Sequence, residues 1–83
     1  MRITFTTEGW EDYTSWTDDR KMVRRINRLT TEASRTPAFG IGKPEALKGD
    51  LSGFWSSRID REHRLVYTVG RDVVIIVQCR HHY

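Results

Sequence analysis

Apolar and polar positions change period twice along this chain, from two to about 3.6 and back to two. Ile3-Thr4-Phe5 alternate as a short strand does. Thr6 and Thr7 then offer N-cap oxygens ahead of Glu8, whose charge suits a first helical turn. Trp10, Tyr13, Thr14 and Thr17 fall on one face of the helix this predicts over residues 8–16. Asp18-Asp19 place two carboxylates at the start of a second helix, where the macrodipole favours them. In that helix Met22, Val23, Ile26, Leu29 and Ala33 form one apolar stripe, and Pro37 ends it near Arg35. The opposite face carries Arg20, Lys21, Arg24, Arg28 and Arg35. It is either a solvated helix face or a surface that meets phosphates.

Residues 36–53 are rich in glycine and proline and read as a long connection holding Lys43, Glu45 and Lys48. Pro44 stiffens its entry, and Ala46-Leu47 predict a helical turn that tucks Leu47 into the core. From Phe54 the period returns to two, predicting strands Phe54–Ile59, Arg64–Val69 and Val73–Arg80. Gly70-Arg71-Asp72 suits a three-residue hairpin loop, which pairs Val69 with Val73. Leu65, Tyr67 and Val69 then share a core face with Val73, Ile75, Val77 and Cys79. Arg64, Val66 and Thr68 lie opposite with Val74, Ile76, Gln78 and Arg80, and continued alternation adds His82. Burial directs Trp55 and Ile59 to the core face, so Phe54, Ser56 and Arg58 join Arg64, with an odd number of loop residues around Asp60–His63. The expected fold is α+β: two N-terminal helices packed on one face of a twisted, mainly antiparallel sheet, as a single domain over residues 1–83.

Composition narrows the class. A chain of 83 residues builds only a small core, although three Trp, three Tyr and three Phe raise the burial available to it. No apolar run is long enough to span a membrane, and Met1-Arg2 leads directly into the first strand rather than into a signal peptide. The single Cys79 excludes an internal disulfide and fits a reducing compartment, so a soluble cytoplasmic protein is expected. A net charge of +3 supports polyanion binding only weakly, so the distribution of charge matters more. Neither C-x-x-C nor H-x₃-H spacing is present, Cys79 reads as a small buried hydrophobe, and no metal or other cofactor is expected.

Arg58, Arg64, Arg80 and His82 on one sheet face would make a site for anionic oxygens. Arginine offers a permanently charged planar fork for phosphate, and histidine delivers a proton near neutrality. Were Glu45 to fold over that face, a base would join an acid and several cations. RNA cleavage through the 2′-hydroxyl needs that set, with the arginines supplying the positive charge. Each residue also has an ordinary role: Glu45 in an ion pair with Lys43 or Lys48, the arginines guarding a sheet edge, His82 at a frayed end.

The segments GKPEALKGDLSGFWSSRI, EHRLVYTV and the terminal CRHHY closely resemble the YoeB (Txe) toxins of the RelE-type superfamily of bacterial toxin–antitoxin systems. GWEDYTSW and the basic second helix extend the likeness over essentially the whole chain. The resemblance implies a microbial-ribonuclease-like fold and a ribosome-dependent mRNA endonuclease that cuts in the A site. Such toxins are held inactive by a YefM-type antitoxin, and a homodimer is left open. Carried over to this chain, Glu45 resembles the general base, His82 the general acid, Arg64 the transition-state cation and Tyr83 the residue that orients or stacks on the substrate. Arg58 and Lys48 match basic positions that hold the phosphate. Lys43 and Arg80 are expected as further RNA contacts, and a ribosomal partner favours the same role for Arg24 and Arg28 on the basic helix face. The rival is a non-catalytic RNA-binding or repressor-complex module of the same fold. A pure binder has no use for a carboxylate facing phosphates, so Glu45 together with His82 discriminates the two.

Overall fold

Two capped helices set up the first half of the chain. The computed structural model, which describes residues 1–81, begins with strand Arg2–Phe5 (β1) and helix Thr7–Thr14 (α1). Thr6 caps α1 by accepting the Gly9 N–H at 3.1 Å. Asp19 caps the second helix, Arg20–Arg35 (α2), by accepting the Met22 N–H at 3.2 Å. The apolar stripe of α2 is the one the periodicity predicts. Ile26, Leu29 and Ala33 are buried, with Met22 and Val23 at the margin. The helix α1 differs from expectation. It is shorter, and the aromatic it contributes to the core comes from just beyond it. Turns at Trp16 and Thr17 carry the chain under the sheet, burying Trp16 and leaving Trp10 half-exposed against Phe5 and Tyr13.

The sheet has five strands in the order β1-β5-β4-β3-β2, where β2 is Glu45–Ala46, β3 Phe54–Arg58, β4 Arg64–Gly70 and β5 Val73–Gln78. The first strand runs parallel to β5 and every other pair is antiparallel. Both helices cover one face, as expected, and the core lies between them and Leu65, Tyr67, Val74, Ile76 and Cys79. Helix α1 approaches β5 so closely that a Cβ at Gly9 would sit 2.3 Å from the Ile76 carbonyl oxygen. Only glycine fits there.

Two sequence-based expectations fail in instructive ways. Ala46-Leu47 does not make a helical turn. Ala46 pairs with Trp55, and the Leu47 N–H donates to the Phe54 carbonyl at 2.9 Å, because β3 would otherwise present an open edge of unpaired backbone groups. The β4–β5 turn has two residues, not three: Gly70 pairs with Val73, and Asp72 takes the left-handed conformation at φ 58°. Val74 and Ile76 therefore face the core, not Val73, Ile75 and Val77. A bulge then restores the predicted parity. Tyr67 pairs with Ile76 but Val66 with Gln78, so the extra residue, Val77, returns Gln78 to the open face and Cys79 to the core. The β3 assignment holds as read. Arg58 pairs with Arg64 across the turn, and Trp55 pairs with Tyr67 on the core side.

Candidate active site

The face of the sheet turned away from the helices is where strand pairing gathers the candidate residues. Glu45 pairs with Ser56, Ser56 with Val66, and Arg58 with Arg64. Directly opposed residues share a face, so Glu45, Ser56, Arg58, Arg64 and Val66 all lie on this one. Strand spacing and rise put the Cα atoms of Glu45 and Arg64 about 12 Å apart, a gap that two long side chains can close around a bound group. Glu45 arrives on an edge strand rather than on a loop folded over the sheet. It is exposed, and among the described residues neither Lys43 nor Lys48 forms an ion pair with it.

The cationic side is deeper. A cleft of about 480 Å³ at the end of β3 is lined by Arg25, Arg58, Ile59, Asp60, Arg61 and Arg64. Four guanidinium groups surround a single carboxylate there, a composition suited to an anion. Arg64 Nη1 is buried and has no hydrogen-bond partner among the described residues. Asp60 instead stays exposed at the turn, where it accepts the N–H groups of Glu62 and His63 at 2.9 and 2.7 Å. Burial alone would raise its pKa. Those two hydrogen bonds, with His63 and Arg64 nearby, outweigh burial and hold its carboxyl below the usual value.

Arg25 and Arg61 were not anticipated. Arg25 borders the apolar stripe of α2, next to Ile26, and reaches across to the sheet. Its Nε donates to the Ile59 carbonyl and its Nη2 to the Arg58 carbonyl, each at 3.1 Å, bracing the end of β3. The only sequence signal is its position at the edge of the stripe, where a long side chain can snorkel toward a neighbouring element.

Other expected residues are placed elsewhere. Arg80 does not join Arg64. Beyond β5 its guanidinium stacks 4.1 Å from the Trp16 ring centroid and donates to Ser15 Oγ at 2.8 Å, on the helix side. Strand alternation ends at Gln78, which is why the prediction fails. Arg24 and Arg28 belong to the helix layer, across the sheet from Glu45, and Arg28 lies 3.7 Å from Glu32. Lys43, in the left-handed conformation at φ 52°, follows Gly42, whose carbonyl accepts the Arg58 N–H at 2.8 Å. Lys43 thus flanks the cleft, whereas Lys48 lies past the far end of β2, capping a 3₁₀ turn. His82 and Tyr83 lie outside the described residues. Their neighbour His81 is anchored beside the site, its carbonyl accepting the Arg64 N–H at 3.0 Å.

One cluster has metal-ligand chemistry. Glu62, His63 and His81 bring ligand-type atoms within 4.8 Å of one another. The hydrogen bonding argues against a resident cation. His63 Nδ1 accepts the His81 N–H at 2.6 Å, so in the neutral ring the proton sits on Nε2, the nitrogen facing Glu62. A metal-bound histidine has the reverse arrangement, donating from its second nitrogen. Cys79 is a core residue, as expected. Burial and the Asp12 carboxylate push its thiol up to about 12.

A family model described as a YoeB-like toxin of bacterial type II toxin–antitoxin systems matches residues 5–83. The chain belongs to this family. Within it, the toxin YoeB of Streptomyces coelicolor is 61% identical, with both chains covered in full. The structure of a YoeB/ParE toxin from Agrobacterium tumefaciens superposes with a TM-score of 0.94 at 48% identity, again over both whole chains. The Staphylococcus aureus toxin is seen in a YoeB–YefM complex (TM-score 0.91, 45% identity, 100% of this chain and 98% of that one). A YoeB dimer from Staphylococcus aureus also matches (TM-score 0.90, 47% identity, the same coverage). The YoeB-like fold is thus shared across its whole length. No described helix is long and apolar enough to cross a membrane.

Proposed function

We propose that this YoeB-like toxin is a ribosome-dependent mRNA endonuclease that cuts the message in the ribosomal A site and so stops translation in the cytoplasm. One observation carries the reading. A carboxylate free of ion pairs among the described residues, Glu45, shares an open sheet face with Arg58 and Arg64, beside a cleft of four arginines. A structural role for Glu45 would show an ion pair, and a purely phosphate-binding surface would carry no acid there.

The chemistry follows from the residue types. Glu45 takes the proton of a 2′-hydroxyl, whose oxygen attacks the adjacent phosphorus. Negative charge builds on the phosphorane oxygens, where Arg64 and Arg58 offer forked donors in a partly desolvated cleft. His82, as imidazolium, protonates the departing 5′ oxygen, leaving a 2′,3′-cyclic phosphate and a free 5′-hydroxyl. Tyr83 orients or stacks on a substrate base. Lys43 and Lys48 steady the message backbone, and Arg24, Arg28 and Arg80 meet ribosomal RNA on the helix side. Each proton transfer contributes about 10²–10⁴-fold in rate.

The S. aureus complex supports a YefM-type antitoxin as partner, and the S. aureus YoeB dimer supports a homodimer of this chain. The test is to add the protein to translating ribosomes and to naked RNA and map the message ends. His82→Ala should abolish cutting yet leave ribosome binding largely intact, because the arginines do the holding. Unchanged cleavage by that variant would sink the acid assignment, and full activity after deletion of Tyr83 would exclude the terminus. A wild type that cuts nothing, on or off the ribosome, would return the chain to the non-catalytic binding class.

A further inference from the structure

His63 is buried, at 7% exposure, yet its ring nitrogens need polar partners. Nδ1 finds one in the backbone N–H of His81, at 2.6 Å. The ring is wedged edge-on against Trp16, centroids 4.7 Å apart, and tilted against the His81 ring at 5.2 Å. This contact spans 18 residues of sequence and ties the β3–β4 turn to the end of the chain.

Residue 81 is conformationally unusual. Its φ of 61° lies in the left-handed region, which a side chain with a Cβ disfavours. Such a residue persists only where its surroundings over-determine it. Three hydrogen bonds do so here. The N–H goes to His63 Nδ1, while the carbonyl accepts from the Arg64 N–H at 3.0 Å and from Gln78 Nε2 at 3.2 Å. A left-handed residue turns the chain, so these bonds set the direction in which it leaves toward His82. Two of them come from consecutive residues. His63 grips the amide of residue 81 and Arg64 grips its carbonyl, while Arg64 also carries the cation of the cleft.

We propose that His63 is a positioning residue: its Nδ1 accepts the His81 amide and fixes residue 81 beside Arg64, and the acid that follows in the chain depends on that anchor. The assignment rests on the mechanism proposed above, in which His82 is the acid. His63 itself touches no reacting atom.

Two substitutions separate positioning from packing. His63→Phe keeps the ring volume against Trp16 and removes the acceptor. His63→Asn loses volume but places Oδ1 near where Nδ1 stood. If His63 only fills space, the Phe variant is the more active; if it positions, the Asn variant is. We expect His63→Phe to lower single-turnover cleavage on ribosomes by on the order of 10²-fold, as displacement of a reacting group by about 1 Å does, with ribosome affinity unchanged. His63→Asn should retain most of the activity even if it melts lower. A Phe variant as fast as wild type overturns the proposal. So does an Asn variant that keeps the His81 amide protected and is still as slow as Phe.

A second measurement needs no catalysis. A through-hydrogen-bond ¹⁵N–¹⁵N coupling should link His63 Nδ1 to the His81 amide in the wild type. Amide protection at His81 should survive in His63→Asn and vanish in His63→Phe, with resonances of residues 82 and 83 shifted in the Phe variant alone. Absence of the coupling, or unmoved 82 and 83 resonances in the Phe variant, overturns the positioning role. If the wild type proves inactive while these NMR results hold, the endonuclease reading fails and the anchoring by His63 stands.

Discussion

Gly42→Ala tests whether the loop leading into β2 and Glu45 is as tightly seated as its contacts indicate. A Cβ at this buried position would lie 2.8 Å from Leu29 Cδ2, 2.9 Å from Ser57 Cβ and 3.3 Å from the Arg58 nitrogen. Carbon pairs settle at about 3.5–4.0 Å, so the Ser57 contact is short by about 0.6 Å. Leu29 Cδ2 ends a flexible side chain and can swing aside. Ser57 Cβ and the Arg58 nitrogen belong to β3, which is paired on both sides, so the loop must move rather than the sheet. Movement of that size strains the 2.8 Å bond from the Arg58 N–H to the Gly42 carbonyl, and Glu45, three residues on, is displaced with it. Overpacking of this kind costs about 1–3 kcal/mol. For a chain of this size the middle of that range lowers the melting temperature by about 10 °C. Cleavage on ribosomes should fall by about tenfold or more, since the base is moved by a sizeable fraction of the ~1 Å that costs 10²-fold. Circular-dichroism melts and single-turnover cleavage report the two effects separately. Melting within about 2 °C of wild type would refute the packing argument. A lowered melt with wild-type cleavage would instead remove Glu45 from the reaction.

Glu45→Gln should leave stability within about 0.5 kcal/mol of wild type, since the side chain is exposed and unpaired among the described residues, while cleavage drops by about 10²–10⁴-fold; equal losses in both would point to a structural role. Cys79 should resist thiol reagents at pH 8 until the protein unfolds, because burial pushes it up to about 12. Its raised value means the unfolded chain loses this proton first as pH rises. The contribution is therefore intact below the ordinary thiol range and shrinks as pH climbs toward 12, a slope that Cys79→Ala should flatten in urea unfolding. Asp60→Ala should cost about 1 kcal/mol by losing both backbone hydrogen bonds. The lowered pKa of Asp60 makes its charge a stabilising one, present above the ordinary carboxylate value and lost as pH falls through the folded one. Asp60→Asn should therefore differ from wild type at pH 7 and converge with it in acid, as unfolding midpoints at the two pH values will tell.

Much of the architecture is legible because periodicity and capping chemistry are local. The stripe on α2, the Asp19 cap and the facing of β3 all follow from residues within a few positions of one another. The misses arise where distant partners decide. β2 exists because β3 has an open edge, which no property of Ala46 or Leu47 announces. The β4–β5 register depends on a two-residue turn with Asp72, not Gly70, in the left-handed position, and the bulge at Val77 has no signature of its own. Those two offsets of one residue cancel, so Cys79 and Gln78 were assigned to the right faces by way of a wrong pairing. Among the site residues, Arg58 and Arg64 fall on one face because strand parity controls them, whereas Glu45, expected from a loop folded over that face, reaches it on β2, a strand the sequence does not announce. Arg80 was misplaced because the strand stops before it. Arg25 and Arg61 were missed because their roles come from how α2 and a turn meet the end of β3.

Arg58 lies directly opposite Arg64, which makes that end of the sheet the strongest candidate for a site. Like charges facing one another on adjacent strands repel, and Arg25 and Arg61 add to the same cleft with only Asp60 among them. Glu45, one row away, could have been placed to neutralise the pair and is not. A fold selected for stability alone would not keep this arrangement, and local rules are most often broken where function requires it. The unbalanced charge is relieved only when an anion arrives, so whatever brings negative oxygens into the cleft also stabilises the folded chain by linkage. On the reading proposed here, the message phosphate does this transiently in the ribosome, and carboxylates of a bound antitoxin would do it durably away from the ribosome. Both require the same guanidinium forks and cannot hold them together. On that reading, message and antitoxin compete for one cleft.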